Sequence, residues 1–340
     1  MASRLLQFVA ILWIVATFSF FLIRLIPGDP VDVIYPVITK TQETKHRRAE
    51  IVHDLGLDKS LVSQYFTYMG HLITGDSSIH GGFLTQRLGK NYGSDRPVWN
   101  TLKGNLAVSL ELMIYAQVLA LVLAIPLGVF SAYRAGSRAD RAINATSFGL
   151  LAMPTFVLAI FLSLIVGVSL GWLPTGGYAP GWLDPLFNST KSPDLANHFK
   201  DMILPSFALA AGQIAVYLRL LRSDMIATLQ ENFVTMARSK GISDRRILWR
   251  HALRPSSITL LTVAGLNVGT LIGVAVIVEL IFQLPGVGKE IQFAFQQGQY
   301  VELQSIILVL AFIFVSLNFL VDVLYSVVDP RIRRGAQASA

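Results

Sequence analysis

The 340-residue sequence contains no cysteine, which excludes disulfides, thiolate metal sites and cysteine nucleophiles and leaves the redox compartment open. Charge is also scarce. Asp, Glu, Lys and Arg make up 14% of the chain, against about 25% in a soluble domain. So few charges cannot cover a soluble surface when 53% of the residues are hydrophobic, and much of the exterior is expected to face lipid. No Ser/His/Asp or paired-carboxylate arrangement is readable. The six histidines lack metal-ligand spacing, so neither a catalytic site nor a bound metal or cofactor is expected. The net charge of +7 does not imply nucleic acid as a partner, because no DNA- or RNA-binding motif accompanies it. Basic residues on the cytoplasmic loops of a membrane protein are expected from topology alone.

Long apolar runs are abundant. About 20 apolar residues, rising 1.5 Å each, cross a hydrocarbon core of about 30 Å. Six stretches qualify: Leu5–Ile26, Leu106–Tyr133, Ile143–Leu170, Met202–Leu221, Ser257–Phe282 and Ser305–Val327. The first is too long for a signal peptide, and Pro27-Gly28-Asp29-Pro30 is no small-residue cleavage site, so it is read as a retained span. The fourth is diluted by Gly212, Gln213 and Arg219. The fifth carries Ala264, Gly265, Gly269, Gly273 and Ala275, small residues that allow close helix–helix approach in lipid. The expectation is an all-α integral membrane protein with six transmembrane helices in one domain, 1–340.

Short loops set the orientation. Arg134, Arg138 and Arg141 flank one loop. Seven basic residues, Arg222 to Arg254, crowd a second, and Arg331, Arg333 and Arg334 close the tail. The alternating loops hold only Lys191, Lys200 and Lys289. The positive-inside rule therefore puts both termini in the cytoplasm, with a long extracytoplasmic segment, 27–103, after the first span. In that segment Asp58 is placed to cap a helix with Leu61, Tyr65, Met69 and Leu72 at helical spacing. Ala49, Val52 and Leu55 mark a shorter helix ended by Gly56. Gly75 to Gly93 reads as loop, and so does Gly171 to Asp201.

The cytoplasmic stretch 222–256 is the most informative. Its first helix ends at Gly241, which can close a helix in the left-handed conformation. Ser243 then serves as N-cap, with Asp244 in the first turn of a second helix. Pro255 is expected to stop or kink that helix. Two short helices at an angle make a rigid knob suited to a partner's groove.

Ala237-x-x-x-Gly241 with Ile247, His251-Ala252-Leu253 and Pro255 resembles the EAA loop of binding-protein-dependent ABC importer permeases. The chain is similar over nearly its whole length to the dipeptide/oligopeptide/nickel branch, specifically to the first of its two permease subunits. Ile26-Pro-Gly-Asp-Pro30, Leu55-Gly-Leu-Asp58, Ser109-Leu-Glu-Leu112, Trp172-Leu-Pro-Thr-Gly-Gly-Tyr178, the run Glu279 to Gly288 and Asp329-Pro-Arg-Ile-Arg333 carry the likeness through their order and spacing. The sequence departs at Thr235, where the wider family has Glu, and at Met236, which replaces Ala. The stretches around Gly75–Leu88 and Asp184–His198 are longer than usual.

The resemblance implies the ABC type I importer permease fold in a prokaryotic inner or plasma membrane. It also implies a heterodimer with a homologous permease, two cytoplasmic ATPase subunits that carry ATP and Mg, and an extracytoplasmic substrate-binding protein. Ala237, Arg238, Gly241, Ile242, Arg245, Arg246, Trp249, Arg250 and His251 are the residues assigned to ATPase coupling, and a proline at Arg246 is expected to uncouple hydrolysis from uptake. Peptides are the expected cargo, with nickel, glutathione or oligosaccharide as alternatives within the architecture. A proton-coupled secondary transporter is the alternative from another class, but it would need buried carboxylates along a pathway and internal repeats.

Polar residues in apolar spans are functional suspects: Glu111, Arg219, Asn267, Glu279, Asn318 and Asp322. Arg219 and Asp322 are expected to form a structural ion pair near the cytoplasmic boundary. Asn267 and Glu279, with Ile291 and Phe295, are assigned to the translocation pathway or its gate. Pro285-Gly-Val-Gly-Lys289 lacks the leading Gly and the Ser/Thr of a phosphate loop. It reads as a turn before a short amphipathic helix with Val287, Ile291 and Phe295 on one face.

Overall fold

The computed structural model describes residues 2–24, 52, 58–75, 83–90, 96–187, 192–297 and 299–328. Among them the chain is helical, with a single isolated β-bridge between Lys90 and Pro97. The helices are α1 (Ala2–Arg24), α2 (Leu61–Thr74), α3 (Phe83–Arg87), α4 (Val98–Tyr133), α5 (Arg138–Ala152), α6 (Thr155–Leu162), α7 (Asp184–Phe187), α8 (Leu195–Leu229), α9 (Asn232–Ser239), α10 (Asp244–Ile281), α11 (Val287–Gln296) and α12 (Tyr300–Val328). Four are long and apolar enough to cross a membrane: α4, α8, α10 and α12 over Val301–Val321. α1 contributes the shorter apolar stretch Leu6–Phe21.

The predicted third span is not one straight helix. α5 and the segment Thr155–Ser169 meet at 105°. Pro154 is the cause, because its ring disfavours helical backbone at the preceding residue. Met153 accordingly sits extended at φ −89°, ψ 122°. Beyond α6 the chain continues as a π-helical turn, Ser163–Ser169.

Other boundaries shift for a common reason. Hydropathy ends a span where side chains turn polar, whereas backbone hydrogen bonding runs on. α8 begins at Leu195, seven residues before the predicted Met202, capped by Asp194, whose carboxylate accepts from the Asn197 N–H. α10 begins at Asp244 and runs through Pro255 without stopping, with a π-helical stretch at Ile247–Ala252 just ahead of the proline. Between α1 and α4 the cap of α2 is Ser60, accepting from the Ser63 N–H, in place of Asp58. The short α3 interrupts the expected loop from Gly75 to Gly93. Of the expected helix at Ala49–Leu55 only Val52 is among the described residues, and it is helical.

The described chain divides into two compact units whose boundaries fall within α4, just before α11 and within α12. In the first (1–107 and 285–316), α1 packs on α2 through aromatic contacts. Fully buried Phe20 lies 5.4 Å from Tyr65 and stacks at 5.6 Å on Tyr68, and the Thr17 and Tyr65 hydroxyls hydrogen-bond at 2.9 Å. Phe8 meets Phe312 of α12 edge-on at 6.0 Å. Ala294 of α11 and Leu303 of α12 form a small core with Ile291, and Asn105 donates to Glu290 at 2.6 Å.

The second unit (108–284 and 317–340) holds α4 beyond Ala107, α5 to α10 and the end of α12. Leu112, Ala116, Ala120 and Ala124 recur at four-residue spacing on α4 and are buried. At Gly128, next in that register, an added Cβ would stand 3.3 Å from the Leu218 carbonyl of α8. Small side chains therefore set the close approach of α4 and α8. On α10 the small-residue expectation holds in part. Ala264, Gly269 and Ala275 are buried, and a Cβ on Gly265 would stand 2.6 Å from the Val321 side chain, but Gly273 faces open space.

Candidate functional site: a helix–glycine–helix knob

Between α9 and α10 the chain turns within four residues. Gly241 has φ +76°, a conformation that costs an L-residue about 1–2 kcal/mol. Its N–H donates to the Arg238 carbonyl at 2.9 Å, and the Ile242 N–H to the Ala237 carbonyl at 3.2 Å. This pair of bonds is the Schellman closure of α9, and Ile242 packs against the apolar cluster that includes Ala237. Ser243 stands at the N-cap of α10 as expected, although its hydroxyl makes no capping bond. Val234, Ala237 and Ile247 form a buried core under the turn, with Leu229 and Ile242 against it. The knob therefore holds its shape by its own packing.

The residues assigned to coupling separate into two roles. Ala237, Gly241 and Ile242 shape the turn. Arg238, Arg245, Arg246, Trp249 and Arg250 are exposed, and His251 is half-buried. Arg238 lies 3.7 Å from Asp244, both largely exposed, so this pair adds little stability. Phe233 and Met236 are 44% and 59% exposed, and with Trp249 they give the basic knob an apolar component. They were missed because an isolated α9 reads as an ordinary amphipathic turn.

Polar bonds fasten the knob to the long helices. Tyr133, at the end of α4, donates to Asp244 at 3.1 Å, and the Thr228 and Ser256 hydroxyls of α8 and α10 pair at 2.9 Å. Nearby, Arg222 of α8 grips Asp140 of α5 through Nε and Nη2, both at 2.7 Å. Asp140 is buried and also accepts from the Gly136 N–H, Ser131 and Asn144. Ser137 caps α5 by accepting from the Asp140 N–H.

A second polar cluster anchors the 171–187 segment. Glu111 is fully buried and accepts from the Leu183 N–H at 2.6 Å and from Tyr178 at 3.0 Å. Tyr178 also hydrogen-bonds Asp184, which accepts from the Gly181 N–H at 2.7 Å. Burial, with the carboxylates of Asp184 and Glu111 beside it, holds the Tyr178 phenol protonated far above its usual range. His198 Nδ1 lies 2.8 Å from the Ala179 carbonyl, which can only accept, so this nitrogen carries a proton. Its Nε2 faces Tyr115 at 3.1 Å and Glu111 at 3.4 Å.

Of the residues assigned to the pathway, Asn267 and Glu279 belong to the second unit and Ile291 and Phe295 to the first. Asn267 donates to Gln213 at 3.0 Å, while Tyr217 donates to Gln117 at 3.3 Å, so α4, α8 and α10 carry polar links that hydropathy read only as dilution. Glu279 is fully buried. On α11, Val287 is buried and Ile291 half-buried, but Phe295 is 62% exposed, and Ala294 completes the packed face instead. Arg219 places its guanidinium 4.8 Å over the Phe148 ring. The Asp322 side chain, its expected partner, lies outside the described residues.

Comparison with known families agrees with this architecture. Residues 124–334 match the family model described as binding-protein-dependent transport system inner membrane component, and residues 1–113 match the corresponding N-terminal model. The chain is 37% identical over 333 residues to the di/tripeptide transport system permease protein DppB of Pseudomonas aeruginosa, covering 94% of each. It is 33% identical over 330 residues to the oligopeptide transport system permease protein AppB of Bacillus subtilis, covering 97% of each. A dipeptide transport system permease protein DppB of Alkalihalophilus pseudofirmus is 33% identical over 341 residues, covering 97% of this chain and 98% of that one. With its apolar spanning helices and its helix–glycine–helix knob, the chain belongs to the family of inner-membrane permease components of binding-protein-dependent transport systems.

Proposed function

We propose that this chain is the first permease subunit of an ATP-driven importer of di- or oligopeptides, and that it forms half of the translocation pathway beside a homologous second permease. In this reading α1, α4, the bent pair α5–α6, α8, α10 and α12 are six spans. Both termini face the cytoplasm, and an external binding protein delivers the cargo. ATP and Mg belong to two cytoplasmic ATPase subunits. The peptide cargo rests on the names of the relatives.

One observation carries the reading. The knob is a self-packed element whose exposed face combines arginines with Phe233, Met236 and Trp249, and it is tied to α4 and α8 at its base. A motor can shift the transporter between two states only through contacts that differ between them. A rigid knob transmits a push to the spans, and the Tyr133–Asp244 and Thr228–Ser256 bonds are the first links of that transmission.

The test replaces Arg245, Arg246 and Trp249 together by alanine. All three are outside the buried core of the knob, so the chain should still insert and assemble with its second permease. Peptide uptake and peptide-stimulated ATP hydrolysis are expected to fall at least about tenfold, the equivalent of roughly 1.4 kcal/mol of lost coupling. Undiminished uptake by that variant would overturn the assignment.

A further inference from the structure

α2 is a helix without charge: Leu61–Thr74 holds no Asp, Glu, Lys or Arg, and His71 is its one basic side chain. With 3.6 residues per turn, its side chains fall into three sectors. Tyr65 and Tyr68 meet α1, through the 2.9 Å bond of Tyr65 to Thr17 and the ring contacts with Phe20. Ser63, Thr67, His71 and Thr74 form a polar, exposed sector. Between the two runs an apolar stripe of Val62, Phe66, Met69 and Ile73 at helical spacing. Val62, Phe66 and Ile73 are 65%, 67% and 72% exposed.

The contacts with α1 say what covers this stripe. Thr17 lies seven residues before Arg24, the last residue of α1, hence about 10 Å along the helix axis. The hydroxyl that holds Tyr65 is therefore inside the apolar stretch Leu6–Phe21 and not beyond its end. Ile14, Phe18 and Phe21 of that stretch are exposed at successive turns. The rings of Phe21, Tyr65 and Phe66 follow one another at 6.0 and 5.5 Å, so the exposed apolar surface of α1 runs onto the stripe of α2. Fourteen residues rise about 21 Å, too short to cross a core of about 30 Å. An amphipathic helix lying in the boundary instead buries its apolar face about 5–10 Å deep, comparable with the depth at which Thr17 holds Tyr65. We propose that α2 is an interfacial helix in the leaflet at the Arg24 end of α1. Val62, Phe66, Met69 and Ile73 lie among the acyl chains, and Ser63, Thr67, His71 and Thr74 face headgroups and water. In the orientation proposed above this is the outer leaflet. The inference rests on α1 being a span, not on the cargo.

Because the chain has no cysteine, single nitroxide labels can test it. The complex with the second permease and the ATPases is reconstituted in vesicles of phosphatidylethanolamine and phosphatidylglycerol. Electron paramagnetic resonance is then read with oxygen, which concentrates in lipid, and with a neutral nickel chelate, which stays in water. Labels at Val62→Cys, Phe66→Cys and Ile73→Cys should respond severalfold more to oxygen than to nickel, and labels at Ser63→Cys, Thr67→Cys and Thr74→Cys the reverse. All six positions are exposed, so the substitutions spare the packing between α1 and α2. A response dominated by nickel along the stripe would overturn the proposal. So would shielding of the stripe from both reagents, which would mean that a protein partner covers it. Phe18→Cys on α1 separates the two levels. A lipid-exposed Phe18→Cys label beside an aqueous stripe would refute the placement of α2 alone, whereas an aqueous label there would remove the span and this proposal with it.

Discussion

Two side chains show how strongly single positions are constrained. Asp140 satisfies its carboxylate with Arg222, Ser131, Asn144 and the Gly136 N–H while almost fully buried. Asp140→Asn would keep the shape and leave the Arg222 charge without its counter-ion. Breaking a buried pair costs about 3–5 kcal/mol, and because Arg222 is a quarter exposed the lower end is expected, read as a drop in the unfolding temperature of the detergent-purified chain. At Gly181 a methyl group would collide with the Glu111 carboxylate. Gly181→Ala should therefore destabilise by about 1–3 kcal/mol, the usual cost of overpacking, and should render the 171–187 segment more sensitive to protease. Glu111 was legible as a suspect because a carboxylate in an apolar run is conspicuous. Its partners were not, because Tyr178, Leu183 and His198 lie 67 to 87 positions away and no local pattern links them.

At the scale of elements, the knob was the most legible part of the chain. Glycine at a left-handed turn, a serine N-cap and an acidic first turn are local signals, and all three stand where expected. The variant suggested by the sequence, proline at Arg246, is the weaker probe. Arg246 lies in the first turn of α10, where backbone N–H groups have no intrahelical partner and proline is comparatively well tolerated. Gly241→Val is sharper. Nothing lies within 4 Å of an added Cβ, so the whole effect is backbone strain, about 1–2 kcal/mol or more for a β-branched side chain. Uptake should fall severalfold while basal ATP hydrolysis by the assembled complex persists; equal loss of both would indicate misassembly rather than uncoupling. Helix boundaries were less legible. Polar starts such as Leu195–Asp201 of α8 fail any hydropathy criterion, yet their side chains are taken up by the neighbouring loop, as when Asp201 accepts from the Ala179 N–H. The break at Met153–Pro154 could have been read from the proline, had the apolar run not been taken as continuous.

For the whole molecule, composition alone excluded a soluble fold, and the order of weak motifs along the chain identified the family that the comparisons establish. What composition cannot supply is which side of the membrane each loop occupies, and every functional assignment to the knob depends on it. The absence of cysteine makes this measurable with a single introduced thiol. Lys240 is exposed at the tip of the turn, so Lys240→Cys should react with a membrane-impermeant maleimide in inside-out vesicles, and the reaction should be blocked once the ATPase subunits are bound. Labelling of that thiol from the extracellular side of intact cells would contradict the orientation, and with it the coupling of this knob to an internal motor.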